Sequence, residues 1–337
     1  MPLFAAMVAM AQSWEPRVSG TASSLRGVSA VDAKAVWACG TGGTYLKSTD
    51  AGKTWQHGVV TGAEKLDFRG VYAVDGQTAV LLSIGPGDQS RIYKTIDGGV
   101  HWKVQFKNAD AKGFYDEIAF WNPQHGIALG DPVNGRFEIL TTADGGAHWV
   151  REQGPTALEN EGAFAASNSS LFVSGANEVW FGTGGPKAAR VFHSTDGGHD
   201  WTIATTPIRN DSANAGIFSL AFSKNGHGVA VGGDYSKRFD HSHNVAVTSD
   251  GGKTWKEPAG AHPNGFRSAV AFLAGAGTWI SAGPSGSDVS SDDGNTWKRT
   301  DGTPYNAISF FSSKVGWAVG PQGRLGQFTD KPRRAGQ

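Results

Sequence analysis

Six stretches of the chain repeat one short pattern, and this repetition constrains the fold more than any other feature. Each has Ser or Thr, any residue, Asp, then Gly two positions after the Asp and Trp five positions after it, as in "STDAGKTW" at residues 48–55. The six aspartates lie 47, 47, 52, 54 and 42 residues apart. A period of this length is typical of propeller or solenoid repeats. The aspartates are Asp50, Asp97, Asp144, Asp196, Asp250 and Asp292, and the tryptophans are Trp55, Trp102, Trp149, Trp201, Trp255 and Trp297.

Each repeat reads as four short runs of β-forming residues separated by glycine-rich turns. In the first repeat these runs are "LRGVSAVD", "AVWACG", "TYLKS" and "TWQHGVV". No stretch long enough to form a helix shows the apolar periodicity of an amphipathic helix. The sequence therefore predicts an all-β propeller with four-stranded antiparallel blades.

The repeated Asp motif, which we call the box, falls between the third and fourth runs of each repeat. There the carboxylate can accept backbone N–H groups of its own turn, and Gly allows a positive φ. The Trp can bury a large ring between neighbouring sheets. Six nearly identical turns predict a structural role for these residues rather than six binding sites.

A seventh repeat is split between the two ends of the chain. Three runs begin near Tyr305, but no box Trp follows Asp330, whereas "QSWEPRV" near the N-terminus resembles an orphaned fourth run. Residues 12–18 are therefore predicted to complete the last blade and to close a ring of seven, which removes exposed sheet edges. The predicted organisation is an export signal over 1–11, one propeller domain over 12–330 and a basic tail over 331–337.

Composition narrows the range of partners. The formal net charge is +0, which disfavours nucleic acid because a phosphate-binding surface needs a basic excess. The single Cys39 excludes an intramolecular disulfide. Residues 3–10 form a short apolar stretch with a small-residue cleavage pattern after it, and no other stretch is long enough to span a membrane. An exported, periplasmic or secreted monomer is expected.

The boxes and the blade pattern resemble the Asp-box (BNR) repeat propellers, and this resemblance extends over nearly the whole chain. Within that class the chain looks most like the bacterial Ycf48-like propellers, and it is more distantly similar to sialidases. The resemblance implies a binding or assembly role, with functional residues at the end of the central channel opposite the boxes. One fold supports many functions, so it does not decide between them.

The architecture implied by the resemblance brings one residue per blade to that end of the channel. The predicted column is Arg26, Arg69, Asp116, Glu161, Phe218, Arg267 and Asn306, with Glu117 beside it. Arginines could hold a carboxylate or phosphate, and the acids could hold hydroxyl groups. The alternative explanation of these charged residues is a solvated channel wall on which they pair with one another.

The longest loop predicted to reach the same mouth is "GGDYSKRFDHSHN", residues 232–244. Arg238 and His241 are candidate ligand contacts, together with the column arginines Arg26, Arg69 and Arg267. The His-x-His pair suggests a metal, but spacing identifies no further ligand, so no metal site and no cofactor is predicted.

Two main functions remain open, and whether the protein is an enzyme is left undecided. The first is a binding or assembly module for a protein partner or an acidic ligand. The second is a sialidase-like glycoside hydrolase acting on an acidic carbohydrate, which needs paired carboxylates or a Tyr nucleophile. An oxidoreductase is the least supported, because no redox cofactor motif is present. The candidate catalytic residues are Asp116, Glu117, Glu161, Asp131, Asp234 and Tyr235.

Overall fold

A computed structural model describes residues 12–330 as a ring of seven antiparallel sheets, which we number blades I to VII in chain order. This confirms the predicted all-β seven-bladed propeller. Apart from one 3-10 turn, Gly87–Gln89, every regular element among these residues is a strand. The predicted signal over 1–11 and the tail over 331–337 lie outside the described residues.

The strands follow the blade order along the chain. Blade I comprises β2 (Leu25–Ala30), β3 (Val36–Gly40), β4 (Thr44–Ser48) and β5 (Gln56–Val59); blade II comprises β6 (Asp67–Ala73), β7 (Ala79–Ile84), β8 (Arg91–Thr95) and β9 (Lys103–Lys107). Blade III comprises β10 (Tyr115–Phe120), β11 (Gly126–Val133), β12 (Arg136–Thr142) and β13 (Val150–Thr156); blade IV comprises β14 (Leu171–Ser174), β15 (Glu178–Gly182), β16 (Arg190–Ser194) and β17 (Thr202–Thr205). Blade V comprises β18 (Ala215–Phe222), β19 (Gly228–Asp234) and β20 (Val245–Thr248); blade VI comprises β21 (Ala269–Leu273), β22 (Thr278–Gly283), β23 (Gly286–Ser290) and β24 (Lys298–Asp301). Blade VII comprises β25 (Ala307–Ser312), β26 (Val315–Val319), β27 (Leu325–Thr329) and β1 (Ser13–Arg17).

The N-terminal strand closes the ring, as predicted. β1 pairs with β27 in antiparallel register, from Ser13 opposite Thr329 to Arg17 opposite Leu325. Trp14 is buried, and its ring centroid lies 5.7 Å from that of Tyr305. Its indole N–H donates to Ser287 Oγ of blade VI at 3.0 Å. Trp14 therefore links the N-terminal strand, and the C-terminal strands that it pairs with in blade VII, to blade VI.

Blade V departs from the four-strand pattern. Its outer strand is reduced to an isolated bridge between Val247 and Lys256. Pro258 follows two residues later, and proline has no N–H to continue a ladder. The outermost pairing therefore ends after one bridge.

The boxes form nearly identical hydrogen-bonded turns. In the first, Ser48 Oγ donates to Asp50 Oδ1 at 2.8 Å and accepts the Gly52 N–H at 2.9 Å. Asp50 also accepts the N–H of Thr54 at 2.9 Å. The same three bonds recur in the other five boxes. The tryptophans pack between blades, as Trp55 does against Trp317 of blade VII.

Within the described range, no helix is long and apolar enough to cross a membrane.

Candidate functional site

The innermost strands of blades I, II, V, VI and VII begin at one end of the channel, which we call the upper mouth, and each places a side chain there. In blades I, II, III and V a β-bulge interrupts the register at Arg26, Arg69, Asp116 and Phe218 respectively. A bulge leaves one residue outside the ladder and redirects its side chain. Because the third strand of a blade runs parallel to the first, the boxes lie at the opposite end.

In blade VI the residue at the mouth position is Ser268, one position after the predicted Arg267. The Arg267 N–H donates to Gly232 O of the preceding blade, as the N–H of Leu25 does to Gly320 O in blade I. The next residue, Ser268, therefore occupies the position of Arg26. A shift of one residue reverses the side-chain direction in a strand, so Arg267 points into the blade.

Arg267 is fully buried and paired within the fold. Its Nε donates to Asp288 Oδ2 at 2.7 Å, and its Nη1 donates to Ser285 Oγ at 2.7 Å and to the Phe266 carbonyl at 2.9 Å. Asp288 is 1% exposed. The predicted ligand contact by Arg267 is therefore not brought to the mouth, and its charge is satisfied inside blade VI.

The upper mouth opens into a cavity of about 480 Å³ with two chemically different sides. Blades I and II supply two arginines, whereas blades IV to VI supply aromatic rings. Such volumes are typical of ligand sites in proteins. The lining residues are Arg26, Arg69, Phe164, Ala165, Ala166, Phe218, Tyr235, Phe266, Ser268, Pro284 and Asn306.

Arg26 is the unusual charge in this cavity. No carboxylate or hydrogen-bond acceptor within residues 12–330 pairs with its guanidinium, and its Nε is buried without a partner. Burial, followed by the charge of Arg69, lowers the pKa of Arg26 to about 10. The side chain thus remains a cation at neutral pH, with hydrogen-bonding capacity that the described part of the fold does not use.

Arg69 lies beside Arg26 but is already engaged. Its Nε and Nη2 contact Asp67 Oδ2 at 3.0 and 2.9 Å. Its Nη1 donates to the carbonyl of Ala165 in blade IV. Arg69 therefore joins two blades across the mouth and contributes positive potential, whereas Arg26 has free donors.

None of the predicted acids of blade III lines the cavity. Asp116 is 2% exposed, and burial together with Asp131 raises its carboxyl pKa well above the ordinary range. Burial raises the pKa of Glu117 to about 8, and Glu117 Oε2 accepts the Leu171 N–H at 2.6 Å. Burial also raises the pKa of Asp131 to about 6, and Asp131 Oδ1 accepts the Ala163 N–H at 2.9 Å. These acids hold the irregular segment at the start of blade IV.

Glu161 is not in the mouth column either. It accepts Arg190 Nε at 2.8 Å, Thr183 Oγ1 at 2.6 Å and the Leu158 N–H at 2.8 Å. The innermost strand of blade IV begins only at Leu171, so the cavity wall there is formed by Ala165 and Ala166. The structure thus places Glu161 in a buried structural network.

Only one candidate from the long loop lines the cavity. Tyr235 is 52% exposed and stands at its rim. Asp234 is buried and accepts the N–H and Oγ of Ser236 in its own turn. Arg238 is exposed and stacks on Phe239, with its Cζ 4.4 Å from the ring centroid, and His241 is exposed outside the lining. No group of three or more His, Cys, Asp or Glu among residues 12–330 is arranged to hold a metal ion.

Phe218 and Tyr235 on the aromatic side of the cavity were identified from the sequence, but Phe164 and Phe266 were missed. Phe164 lies in "EGAFAAS", which has no strand pattern, and Phe266 follows a loop rich in Gly and Pro. A useful signal was nevertheless present. Aligning the blades on the apolar residue two positions after the mouth residue, such as Val28, Val71 and Val270, gives Ser268 its correct place.

Comparison with known proteins supports the propeller architecture. No family model matches the chain. Among solved structures, the WD40 propeller domain of Doa1 has a TM-score of 0.64 at 14% identity, covering 96% of this chain and 100% of that one. At this identity the likeness establishes the propeller fold alone.

The chain is also similar to Ycf48 proteins, in agreement with the predicted resemblance. The photosystem II assembly lipoprotein Ycf48 of Picosynechococcus sp. (strain ATCC 27264 / PCC 7002 / PR-6) is 25% identical over 259 residues, which are 65% of this chain and 69% of that protein. A structure described as YCF48 bound to D1 peptide has a TM-score of 0.66 at 18% identity, covering 94% and 96% of the two chains. The structure of YCF48 from Cyanidioschyzon merolae has a TM-score of 0.65 at 18% identity, covering 94% of this chain and 98% of that one.

Proposed function

We propose that this protein is an exported binding propeller whose upper cavity holds an acidic group of a protein partner. The observation that carries the proposal is Arg26, a cation with a buried Nε that lacks a partner in the described fold. The charge of Asp67 also acts on Arg26, but the Asp67 carboxylate is bound to Arg69, so a ligand carboxylate would supply the acceptors that the half-buried Arg26 guanidinium lacks. Arg69 adds to the positive potential without competing for that carboxylate.

The relatives support a protein as the partner. One Ycf48 structure is described as bound to a peptide, and the Picosynechococcus relative is named as an assembly lipoprotein. That lipoprotein name also favours an exported, periplasmic or secreted location for this chain. Membership of the Asp-box repeat class, supported by the repeated box turns, remains part of the same proposal.

Catalysis on an acidic sugar receives less support from the geometry. Asp116 and Glu117 are buried and do not line the cavity, and Glu161 is paired with Arg190. A glycosidase instead needs two carboxyl groups flanking a substrate. Tyr235 alone of the candidate catalytic residues lines the cavity.

A thermal-shift screen separates the two functions. The panel holds uronic acids, sialic acid, neutral oligosaccharides and short acidic peptides. A ligand at 100 times its Kd stabilises the protein by about 2.7 kcal/mol, which such a screen resolves. We expect acidic peptides to raise the Tm of the wild type but not that of Arg26→Gln. A shift with an acidic sugar alone, accompanied by its turnover, would contradict the binding role.

A further inference from the structure

A short irregular segment crosses the central channel. Residues 163–170, which we call the plug, lead into β14 of blade IV and contain no regular element. The Ala165 carbonyl accepts Arg69 Nη1 of blade II. Two residues later, Ser167 Oγ donates to the Ser268 carbonyl of blade VI at 2.6 Å. Blades II and VI lie on opposite sides of a ring of seven, so the plug spans the channel from one wall to the other.

The plug is also bonded to the walls between these two blades. Asn168 Oδ1 accepts the Ile118 N–H of blade III at 3.0 Å. Ser169 contacts blade V twice, because its Oγ lies 2.7 Å from Ser219 Oγ and its carbonyl accepts the Leu220 N–H at 2.9 Å. The plug is thus hydrogen-bonded to blades II, III, V and VI.

The position of the plug separates two cavities. Ala165 and Ala166 line the upper cavity. Residues 167–169 line a second cavity of about 350 Å³, which is also lined by the later parts of the innermost strands, for example by Phe222 and Phe310. Release of the plug would therefore join the upper cavity to the channel beyond it.

Three carboxyl groups of blade III hold the plug. Asp131 Oδ1 accepts the N–H of Ala163, where the plug begins, at 2.9 Å. Glu117 Oε2 accepts the N–H of Leu171, directly after the plug, at 2.6 Å. Asp116 faces a backbone N–H between these two points. Asp116 and Glu117 are 2% and 0% exposed, and each has one oxygen buried without a hydrogen-bond partner among residues 12–330.

The surroundings of these acids disfavour their ionised forms while the plug is in place. Burial, followed by the charges of Asp131 and Glu117, raises the pKa of Asp116 well above its ordinary range, and Arg69, which faces it from blade II, opposes this shift. Burial raises the pKa of Asp131 to about 6 and that of Glu117 to about 8. Solvated acids of these types have pKa values of about 4.

The other charged groups near the plug are paired with each other. Glu161, two residues before the plug, is bound to Arg190. Asp67 of blade II is bound to Arg69. The acids of blade III are therefore the groups whose ionisation bears most directly on the plug.

We propose that the plug is a pH-dependent gate, which closes the channel while the acids of blade III are protonated and opens as they ionise. Release of the plug admits water to the carboxylates, and water stabilises their charge. Because the pKa values are higher in the closed state than in solvated acids, closure is strongest at acidic pH and weakens as the pH rises towards 8. The gate goes beyond the binding role and does not depend on which ligand the upper cavity takes.

Hydrogen exchange with mass spectrometry on the wild-type chain tests the gate. Protection is measured from pH 5 to 8 and corrected for the intrinsic exchange rate at each pH. An acid that is protonated in the closed state and ionised in the open state multiplies the open fraction by up to about ten per pH unit. We expect the protection of the plug amides to fall by about tenfold or more across this range. At pH 8 it should be lower than that of the β7 amides by about tenfold or more.

Two results with the wild type would overturn the inference. The first is protection of the plug that does not change with pH. The second is protection of the plug equal to that of β7 at pH 8, because the plug would then exchange only when the whole domain unfolds.

Amide variants identify the groups that control the gate. The triple variant Asp116→Asn, Glu117→Gln and Asp131→Asn keeps oxygens that can accept the plug N–H groups but cannot ionise, so plug protection should change by less than about threefold between pH 5 and 8. Glu159→Gln is the matched control and should keep the full pH dependence, because this acid lies near the plug in sequence but is 75% exposed at the surface.

A single variant covers the case in which the triple variant does not fold. Glu117→Gln alone should make the fall in plug protection smaller by about threefold or more. Full pH dependence in the triple variant, or in Glu117→Gln where only that variant folds, would show that these acids do not control the plug and would overturn the inference.

Discussion

Two arginines that look alike in sequence, Arg26 and Arg267, should respond in opposite ways to the same substitution. Arg267→Gln removes the charged partner of Asp288, which is 1% exposed, and leaves that carboxylate buried and unpaired. Breaking a buried ion pair by removing one partner costs about 3–5 kcal/mol. At roughly 2 °C per kcal/mol for a chain of this size, the Tm should fall by about 6–10 °C.

Arg26→Gln should leave the Tm unchanged or raise it. The lowered pKa of about 10 means that the folded state disfavours the charged guanidinium. The unfolded state binds more protons above pH 10, so the wild type should gain stability as the pH rises through that range. Removing the side chain relieves the cost of burying the charge, and then the repulsion from Arg69, at neutral pH.

Differential scanning calorimetry of the two variants checks this contrast. The control is the double variant Arg267→Met with Asp288→Asn, which leaves no unpaired charge and should recover most of the lost stability. Melting of Arg267→Gln at the wild-type temperature, or an equal loss of stability in Arg26→Gln and Arg267→Gln, would show that the two arginines do not differ in this way.

Three further predictions concern the frame of the propeller. Hydrogen bonds from Thr254 lower the pKa of Asp250 to about 2, and hydrogen bonds from His101 lower the pKa of Asp97 to about 2. The stability that these boxes provide should therefore be present above pH 4 and lost as the pH falls towards 2. Asp250→Asn should make the Tm depend less on pH between 4 and 2. Because burial raises the pKa of Glu117 to about 8, the wild type should lose stability as the pH rises from 5 to 8, and Glu117→Gln should become progressively more stable than the wild type in the same melting series. Trp14→Ala should lower the free energy of unfolding by about 3–5 kcal/mol in chemical denaturation, because it empties a buried site between blades VI and VII. Arg17→Ala on the same strand should change that free energy by less than about 1 kcal/mol. Equal effects of the two substitutions would contradict the closure of the ring by β1.

Repetition made the fold predictable from the sequence. Six boxes at a nearly constant period specify blades, and the split seventh repeat specifies how the ring closes. These features depend on local turn chemistry and strand alternation, which are visible in the order of residues. The three-stranded blade V was not predicted, although Pro258 marks the point where its outer pairing ends.

The site was less predictable because it depends on register and on long-range packing. The dipeptide Phe-Arg occurs at 68–69 and at 266–267, yet its arginine faces the cavity in one blade and the blade interior in the other. One residue of register decides this difference. The irregular start of blade IV placed Phe164 at the cavity and Glu161 in a buried ion pair, and no periodic pattern marks either position.

Site-specific photo-crosslinking in the native cells tests the binding role of the upper mouth most directly. A benzophenone amino acid replaces either Tyr235 at the upper cavity or Phe311 near the opposite end of blade VII, two equally exposed positions. We predict a discrete protein adduct from position 235 that disappears when Arg26→Gln is added, and none from position 311. An adduct from position 311 alone, or one at 235 that survives Arg26→Gln, would contradict the binding role.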